Sequence, residues 1–277
     1  MEDNHRLALK LLYKIRLTTL EMMEDRGYVL NKEENEFLVN AIRDANKEIN
    51  DRINKYIMKN RKDVKNFIEQ IKKEIVLEQD KNFDKFANYY YEKSQKNGTV
   101  RRWMSRIYEH KSGKKKDRCL VYYVDVIKGN DNIQKDTIGT DEIKLMLEAM
   151  EIKEEREKVK NVVLISPKVL SQPAGEKVNN LTAYTIDFFL EKELVYNPTK
   201  HAYVPIHEAL TPEESEKFKK EVKGDIIKFP KLLTTDRISR YYGYRKGQII
   251  RIYNKPLTQS LYKTLAHKII SPPDSHK

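Results

Sequence analysis

The chain has 277 residues and is strongly basic, with a formal net charge of +12 and a sequence pI of about 9.4. Hydrophobic residues make up 39% of it and charged residues 35%, which excludes a wholly disordered chain. The single cysteine, Cys119, excludes an intramolecular disulfide framework and a cysteine-based zinc site. The positive charge suits a partner that bears phosphates, but an ordinary lysine-rich surface explains it equally well.

The N-terminal stretch MEDNHRLALKLLYKIR is amphipathic and has no cleavage site, and no window of the chain is apolar over the length of a bilayer. We therefore predict a soluble intracellular protein in a reducing compartment, without membrane contact. The first helix is predicted to begin after Asn4 and to end at Gly27. A second helix is predicted after Asn31, with Glu34 at the capping-box position. Residues 32–96 lack Pro and Gly and have a narrow apolar stripe, which predicts an exposed helical hairpin.

Two apolar segments, residues 119–127 and 161–167, are predicted as buried strands from their β-branched and aromatic content. A helix is predicted between them, over about 140–157. The order strand, helix, strand predicts a small α/β layer. Loops are predicted at Pro167, Pro173 and Gly175.

The strand at 119–127 raises the question of nuclease chemistry, because it ends near Asp125 with Lys128 just beyond. Metal-dependent nucleases hold their metal with paired carboxylates on neighbouring strands. The strand at 161–167 offers no acid, only Ser166. One carboxylate does not make such a site, so we interpret Asp125 as a strand-edge residue.

Breakers in residues 195–205 mark a boundary, and a second unit follows. Thr211 and Glu214 form a predicted capping box, with proline at the first helical position, and the helix is predicted to end near Gly224.

Beyond that helix, Asp236 is predicted to cap the short helix RISRYY, which Gly243 ends. Strands are predicted for QIIRIYN and for residues 265–270.

The histidines of HAYVPIHEALTPEE, His201 and His207, could form half of a metal site, a catalytic dyad or a structural hinge. Their spacing across Pro205 is not a helical ligand spacing, and zinc would need two further ligands. The sequence has no Gly-rich phosphate loop, nucleophile elbow or HExxH motif. We therefore predict no catalytic residue, metal or cofactor, and histidine rings that are buried or hydrogen-bonded to nearby backbone.

Basic and aromatic residues alternate further along the chain. They are Arg237, Arg240, Arg245, Lys246 and Arg251, with Tyr241, Tyr242, Tyr244 and Tyr253. Such residues bind nucleic acid through phosphate contact and stacking, and they also anchor protein–protein interfaces. Composition leaves both interpretations open.

Two ordered blocks resemble a known family of RNA polymerase subunits. HAYVPIHEALTPEE resembles the H-x-x-V-P-x-H stretch that opens the assembly domain of the fifth-largest subunit shared by the eukaryotic nuclear RNA polymerases, and of its archaeal counterpart. FPKLLTTDRISRYYGYRKGQIIRIYN is similar to the family's second block. The positions that match this second block are Pro230, Asp236, Arg240, Tyr241, Gly243, Lys246 and Gly247.

The front of the chain is similar to the jaw domain of the eukaryotic form. RLTTLEMMEDRGYVLNKEE resembles its first helix and arginine-glycine-tyrosine turn, and KNVVLISPKVLS resembles a strand and its turn at Ser166–Val169. Residues of about 44–115 have more helical sequence than the family shows, and the family's C-terminal end is replaced by KPLTQSLYKTLAHKII and a short tail. With the Lys/Asn/Ile bias, these departures predict a gene of a large DNA virus, a protein located in virion and host cytoplasm, or alternatively in the nucleus.

The resemblance implies an α+β protein. It would have an α/β jaw domain over residues 1–200, with a helical insertion at about 44–115, and a small α+β assembly domain over 201–277. It implies a non-catalytic subunit of a DNA-directed RNA polymerase that docks on the largest subunit and contacts other subunits. The jaw would lie beside downstream duplex DNA, held weakly and without sequence preference. The alternative is a stand-alone DNA-binding transcription regulator.

The resemblance also assigns residues. Pro167 and Lys168 are expected near downstream DNA. Docking and fold are expected to depend on His201, Pro205, His207, Arg240, Tyr241, Gly243, Arg245, Lys246 and Gly247. Gly243 and Gly247 are expected to supply backbone angles that other residues avoid.

Overall fold

The structure is a computed structural model. It describes residues 2–30, 83–88, 100–114, 117–125, 137–152, 157–201, 203–222, 229–253 and 266–272. The predicted second helix and most of the predicted helical hairpin lie outside these residues, although 83–88 are helical. Helices and sheets are both present, and the predicted α+β class is confirmed. Within the part of the chain that is described, no helix is long and apolar enough to cross a membrane.

Helices and strands follow one another along the chain as expected for mixed architecture. The helices are α1 (Glu2–Asp25), α2 (Val100–Met104), α3 (Thr140–Ala149), α4 (Gln172–Asn180), α5 (Pro212–Glu221) and α6 (Arg237–Tyr242), with 3-10 turns at Glu191–Glu193 and Pro198–Lys200. The strands are β1 (Tyr28–Leu30), β2 (Arg106–His110), β3 (Cys119–Tyr123), β4 (Thr137–Ile138), β5 (Glu151–Ile152), β6 (Glu157–Lys158), β7 (Asn161–Ser166), β8 (Val169–Leu170), β9 (Thr185–Leu190), β10 (Ile206–Ala209), β11 (Lys231–Leu233), β12 (Ile249–Tyr253) and β13 (Ala266–Ser271).

The chain forms two compact units. The first comprises Met1–Leu20 and Gly27–Val195, and the second comprises Glu21–Arg26 and Tyr196–Lys277. The end of α1 is therefore part of the second unit. The sequence placed a boundary between residues 200 and 201, and the jaw and assembly domains named there stay predictions.

The first unit is built on a five-stranded sheet in the order β1-β2-β3-β7-β9. Strands β3, β7 and β9 are parallel, whereas β1 and β2 are antiparallel to their neighbours. Alternate residues of a strand point to opposite faces. On one face, Leu120 and Leu164 pack against Ile143 and Met146 of α3.

Helix α1 brings a charged residue into the interior of the first unit. Arg16 has no exposed surface, and its Nη1 donates to the carbonyl of Met104 at 3.2 Å and to the Tyr108 hydroxyl at 3.0 Å. A second arginine, Arg101 of α2, makes a two-point ion pair with Glu191, at 2.6 and 3.0 Å. The Glu191 side chain is only 7% exposed, so this pair lies largely away from water.

Three predicted elements of the first unit were wrong in part. The helix predicted over 140–157 ends at Ala149, and β5 pairs antiparallel with β6 where its second half was expected. The strand predicted to reach residue 127 ends at Tyr123. The loop predicted around Pro173 contains α4, because the Ser171 hydroxyl caps the helix and proline is tolerated in its first turn.

The second unit is a four-stranded sheet in the order β10-β12-β13-β11, with α5 and α6. Only β11 and β13 are parallel among the pairs of this sheet. The predicted cap signals are confirmed: Thr211 and Glu214 form a capping box, and Asp236 Oδ1 accepts from the backbone of Ile238 and Ser239. Among the described residues, the buried members of its core are Leu232, Tyr244, Ile250, Ile252 and Ile270.

Candidate functional site: a polar seat and an exposed turn in the C-terminal unit

The first block of the predicted site begins at a 3-10 turn. Asn197 is 5% exposed, and its Oδ1 accepts from the backbone of Thr199 at 2.9 Å. His201 follows and is exposed, and its Nδ1 accepts from the backbone of Tyr203 at 3.3 Å. The ring centroids of His201 and Tyr203 lie 5.8 Å apart, and Tyr203 is 84% exposed. This stretch thus presents an imidazole and a phenol to the surface.

His207 is held by backbone groups within β10. Its Nδ1 lies 3.0 Å from the carbonyl of Pro205, to which it donates when it carries the proton. Burial lowers the pKa of His207 below its usual range. The Tyr244 hydroxyl donates to the carbonyl of His207 at 3.1 Å. Both rings are hydrogen-bonded to nearby backbone, as predicted, and the docking role of His201 and His207 stays a prediction. Among the described residues, no three His, Cys, Asp or Glu side chains lie where they could hold a metal ion.

The second block contains two left-handed glycines, as predicted. Gly243 has φ of 68° and is the C-cap of α6, and Gly247 has φ of 88° in the next turn. Both conformations are strained for residues with a Cβ. Arg245, Lys246 and Gly247 are exposed, and Arg245 N donates to Gln248 Oε1 at 2.6 Å. The turn 243–248 is therefore a fixed backbone that displays two cationic side chains.

Tyr241 faces inward and is 1% exposed. Its hydroxyl donates to Asp25 Oδ2 at 2.7 Å and accepts from Asn197 Nδ2 at 3.0 Å. Burial and the nearby Asp25 carboxylate raise the pKa of the Tyr241 hydroxyl far above its usual range. Burial also raises the pKa of the Asp25 carboxyl, against the lowering effect of the Tyr241 hydrogen bond.

Residues 21–26 complete this polar cluster. Glu21 Oε2 accepts from Asn197 Nδ2 at 2.8 Å, and Glu21 also pairs with Lys200. Arg26 donates from Nε to the carbonyl of Tyr241 at 2.8 Å and from Nη2 to the carbonyl of Arg240 at 2.5 Å. We call these contacts, between Glu21, Asp25 and Arg26 on one side and residues 197–200 and 240–243 on the other, the polar seat.

Comparison with known proteins finds a family similarity within the second unit. The family model described as RNA polymerase Rpb5, C-terminal domain, matches residues 196–264, which contain both blocks. Residues 196–264 are thus similar to the Rpb5 C-terminal domain family. The predicted family relationship is thereby confirmed.

Curated relatives agree with the Rpb5 match. The DNA-directed RNA polymerases I, II, and III subunit RPABC1 of Caenorhabditis elegans is 27% identical over 128 residues, 46% of this chain and 59% of that protein. The DNA-directed RNA polymerase subunit 5-like protein 1 of Arabidopsis thaliana is 32% identical over 114 residues, 41% of this chain and 54% of that protein. The RPABC1 protein of Dictyostelium discoideum is 28% identical over 131 residues, 46% and 64% of the two chains. The chain thus spans less than two thirds of these relatives.

The geometry divides the predicted residues of the Rpb5-type domain into two groups. Tyr241 and the carbonyl of Arg240 belong to the partly buried polar seat, whereas Arg245 and Lys246 are exposed. Sequence reasoning missed Glu21, Asp25 and Arg26, which lie outside residues 196–264. The arginine-glycine-tyrosine motif at 26–28 drew attention to Arg26, but nothing in the sequence indicated that Arg26 contacts Tyr241.

The two residues predicted near DNA belong to the first unit. Pro167 and Lys168 form the turn between β7 and β8. The buried Ser166 hydroxyl donates to the carbonyl of Lys168 at 2.6 Å and accepts from Lys168 N at 3.1 Å. These bonds fix the turn. Asp125 lies just beyond β3 and is partly exposed.

Proposed function

We propose that this chain is a non-catalytic, structural subunit of a DNA-directed RNA polymerase. The observation that supports this most strongly is the match of an Rpb5 C-terminal domain to residues 196–264. The relatives are named as subunits of DNA-directed RNA polymerases, which extends the support beyond this one domain.

The second unit docks on the polymerase, with the largest subunit as its main partner. Its exposed turn 243–248 and the neighbouring residues of the first block are suited to this role. Arginine and tyrosine are enriched at protein interfaces, where a few such residues contribute most of the binding free energy. Arg245, Lys246 and Tyr203 are exposed on a backbone that is fixed by hydrogen bonds, so little ordering cost is expected on binding.

The first unit lies beside downstream duplex DNA. The net charge of +12 carried by the whole chain supports contact with duplex DNA, because cationic side chains near phosphates release counterions. The turn at Pro167 and Lys168 offers one cation on a fixed backbone. Phosphate contacts of this kind position a duplex without reading its sequence.

Charge reversal tests the docking proposal. The full chain is co-expressed with the other polymerase subunits, and recovery of the complex is measured by affinity purification and mass spectrometry. Arg245→Glu with Lys246→Glu is expected to lower recovery by about tenfold or more, since charged contacts at an interface discriminate strongly. Lys217→Glu with Lys220→Glu, on the exposed side of α5, is the matched control. Recovery of the unmodified chain only as a free monomer would overturn the proposal.

The affinity of the isolated chain for duplex DNA distinguishes a polymerase subunit from a stand-alone transcription regulator. The isolated chain is expected to bind DNA weakly, and Lys168→Glu to reduce the salt dependence by about one phosphate contact. Lys160→Glu, an exposed lysine of the same unit, serves as the control. Tight duplex binding by the isolated chain at physiological salt would instead favour a stand-alone transcription regulator.

A further inference from the structure

Two motifs that lie far apart in sequence meet in the second unit. Arg26 donates to the carbonyls of Tyr241 and Arg240, across 215 and 214 residues of sequence. The last carbonyls of a helix have no partner within that helix, and a cation near a helix C-terminus is stabilising. Arg26 thus supplies both a forked donor and a positive charge at the end of α6.

Gly243 faces the same guanidinium. A Cβ at position 243 would lie 3.1 Å from both Cζ and Nη1 of Arg26, closer than ordinary van der Waals contact. At Gly247, which has a similar positive φ, a Cβ would meet nothing within 4 Å. Glycine is therefore favoured at position 243 for two reasons, its positive φ and the space that the Arg26 guanidinium occupies, and at position 247 for its positive φ alone.

The end of α6 leads directly into the exposed turn. The carbonyl of Arg240 also accepts from Gly243 N at 3.1 Å, and Tyr244 N donates to the carbonyl of Ser239 at 2.9 Å. The turn then returns to the sheet, where Gly247 N donates to the carbonyl of Ile270 at 2.9 Å. The backbone therefore enters the turn 243–248 directly from the end of α6, which Arg26 contacts.

We propose that Arg26 is a positioning residue for docking: seating of residues 21–26 holds the turn 243–248 in the conformation that binds the polymerase. The proposal rests on the docking role of that turn. The relevant surface of the Rpb5-type domain is then complete only when a segment from outside residues 196–264 is in place. The Glu21 and Asp25 carboxylates add to this seating through Asn197, Lys200 and Tyr241.

Hydrogen exchange of the full chain tests the local effect. Arg26→Ala is expected to raise amide exchange over residues 237–248 by about tenfold or more, because the helix end loses two donors. Arg26→Lys keeps the positive charge but loses the paired donors of the guanidinium, and is expected to give an intermediate increase in amide exchange. Lys14→Ala, exposed on the same helix, should leave this region unchanged. Unchanged exchange at 237–248 in Arg26→Ala would overturn the proposal.

A comparison of two glycines tests the geometry independently of any loss of fold. Gly243→Ala is expected to lower the melting temperature more than Gly247→Ala, because only the first crowds Arg26. In an Arg26→Lys background, whose flexible side chain yields more easily, the difference between the two glycine variants should shrink. Equal effects of the two substitutions in the unmodified chain would contradict the proposed packing.

Recovery of the polymerase complex tests the consequence for docking. Arg26→Ala is expected to lower recovery by about tenfold, with Arg26→Lys restoring part of it. If exchange rises but recovery stays complete, while Arg245→Glu with Lys246→Glu abolishes it, Arg26 has no positioning role and the docking proposal survives. If neither variant lowers recovery, the docking proposal itself fails.

Discussion

The two units are stabilised in different ways. Among the described residues, the first unit has a cluster of ten buried hydrophobic residues on one face of its sheet, whereas the corresponding cluster of the second unit has five. Both units also have polar contacts away from water: those of Arg16 and of the Arg101–Glu191 pair in the first unit, and the partly buried polar seat in the second. A small core provides little free energy of unfolding, so individual hydrogen bonds and caps contribute a larger share of it.

The largest effect is expected from truncation within the small core. Ile250→Ala removes a side chain with no exposed surface and should lower the free energy of unfolding of the second unit by about 2–5 kcal/mol. Hydrogen exchange with mass spectrometry, read unit by unit, measures the effect.

The same truncation in the first unit is the matched control. Ile143 of α3 is also fully buried, so Ile143→Ala loses the same atoms from the larger core. Ile250→Ala is expected to unfold its unit at lower denaturant concentration than Ile143→Ala does. The reverse order would remove the distinction between the two cores.

Ion pairs provide a second comparison. Arg101→Ala leaves Glu191, with its side chain 7% exposed, without its two-point partner, and should cost about 2–3 kcal/mol. Arg251 of the second unit pairs with Glu208 and Glu214 at 3.2 and 2.9 Å near the surface, and Arg251→Ala should cost less than about 1 kcal/mol.

The salt dependence of the loss in stability, measured by denaturant unfolding, distinguishes these two variants. High salt should reduce the small cost of Arg251→Ala, since exposed pairs are screened. The cost of Arg101→Ala should persist. An Arg101→Ala effect that disappears in salt would mean that this pair behaves as a surface pair.

Removal of a single oxygen atom is expected to weaken the polar seat. Tyr241→Phe removes the hydroxyl that joins Asp25 and Asn197 and should lower the free energy of unfolding of the second unit by about 1–2 kcal/mol. Tyr123→Phe in the first unit is a suitable comparator, because the Tyr123 hydroxyl is buried without a well-formed hydrogen bond to another described residue. The Tyr123 variant is expected to cost less in the same urea titration.

The smallest effect expected is the pH dependence of the second unit. Burial lowers the pKa of His207, so below pH of about 6.5 the unfolded chain takes up a proton more readily than the folded chain. Stability should therefore fall as the pH is lowered through this range.

The substitution His207→Asn keeps a donor near the carbonyl of Pro205 and removes the titration. Urea unfolding at pH 7.5 and 5.5, with both values chosen to bracket about 6.5, should show a smaller pH effect in this variant. A residual effect is expected from His267, whose pKa burial also lowers. Identical pH dependence in variant and parent would contradict the assignment to His207.

Local signals in the sequence predicted the second unit well. The capping box at Thr211 and Glu214, the cap at Asp236 and the left-handed Gly243 each depend on a few neighbouring residues, and all three are present. Local signals misled at α4, where Pro173 and Gly175 indicated a loop but lie within a capped helix. The helix from Thr140 was extended too far because the charged residues after Ala149 continue a helical composition, although the chain turns into β5 and β6 there.

The polar seat could not be predicted in this way. Arg26 and Tyr241 each occur in a recognisable motif, but only tertiary packing brings them to a distance of 2.8 Å. The family resemblance indicated which residues are important without indicating which of them face inward. Exposure makes that distinction, since Tyr241 is buried and Lys246 is exposed.

The separation of Arg26 from its acceptor at Tyr241 has a consequence during synthesis. Its acceptor at Tyr241 is made 215 residues later, which at about 5–20 residues per second is a delay of roughly 10–40 s. Any nascent chain that ends before Arg240 lacks the carbonyls to which Arg26 donates. Strands β1 to β9 are all synthesised in that interval. The first unit therefore has time to fold before residues 21–26 can make their contacts in the second unit. The contacts of Arg26 can therefore complete the second unit only after strands β1 to β9 have been synthesised.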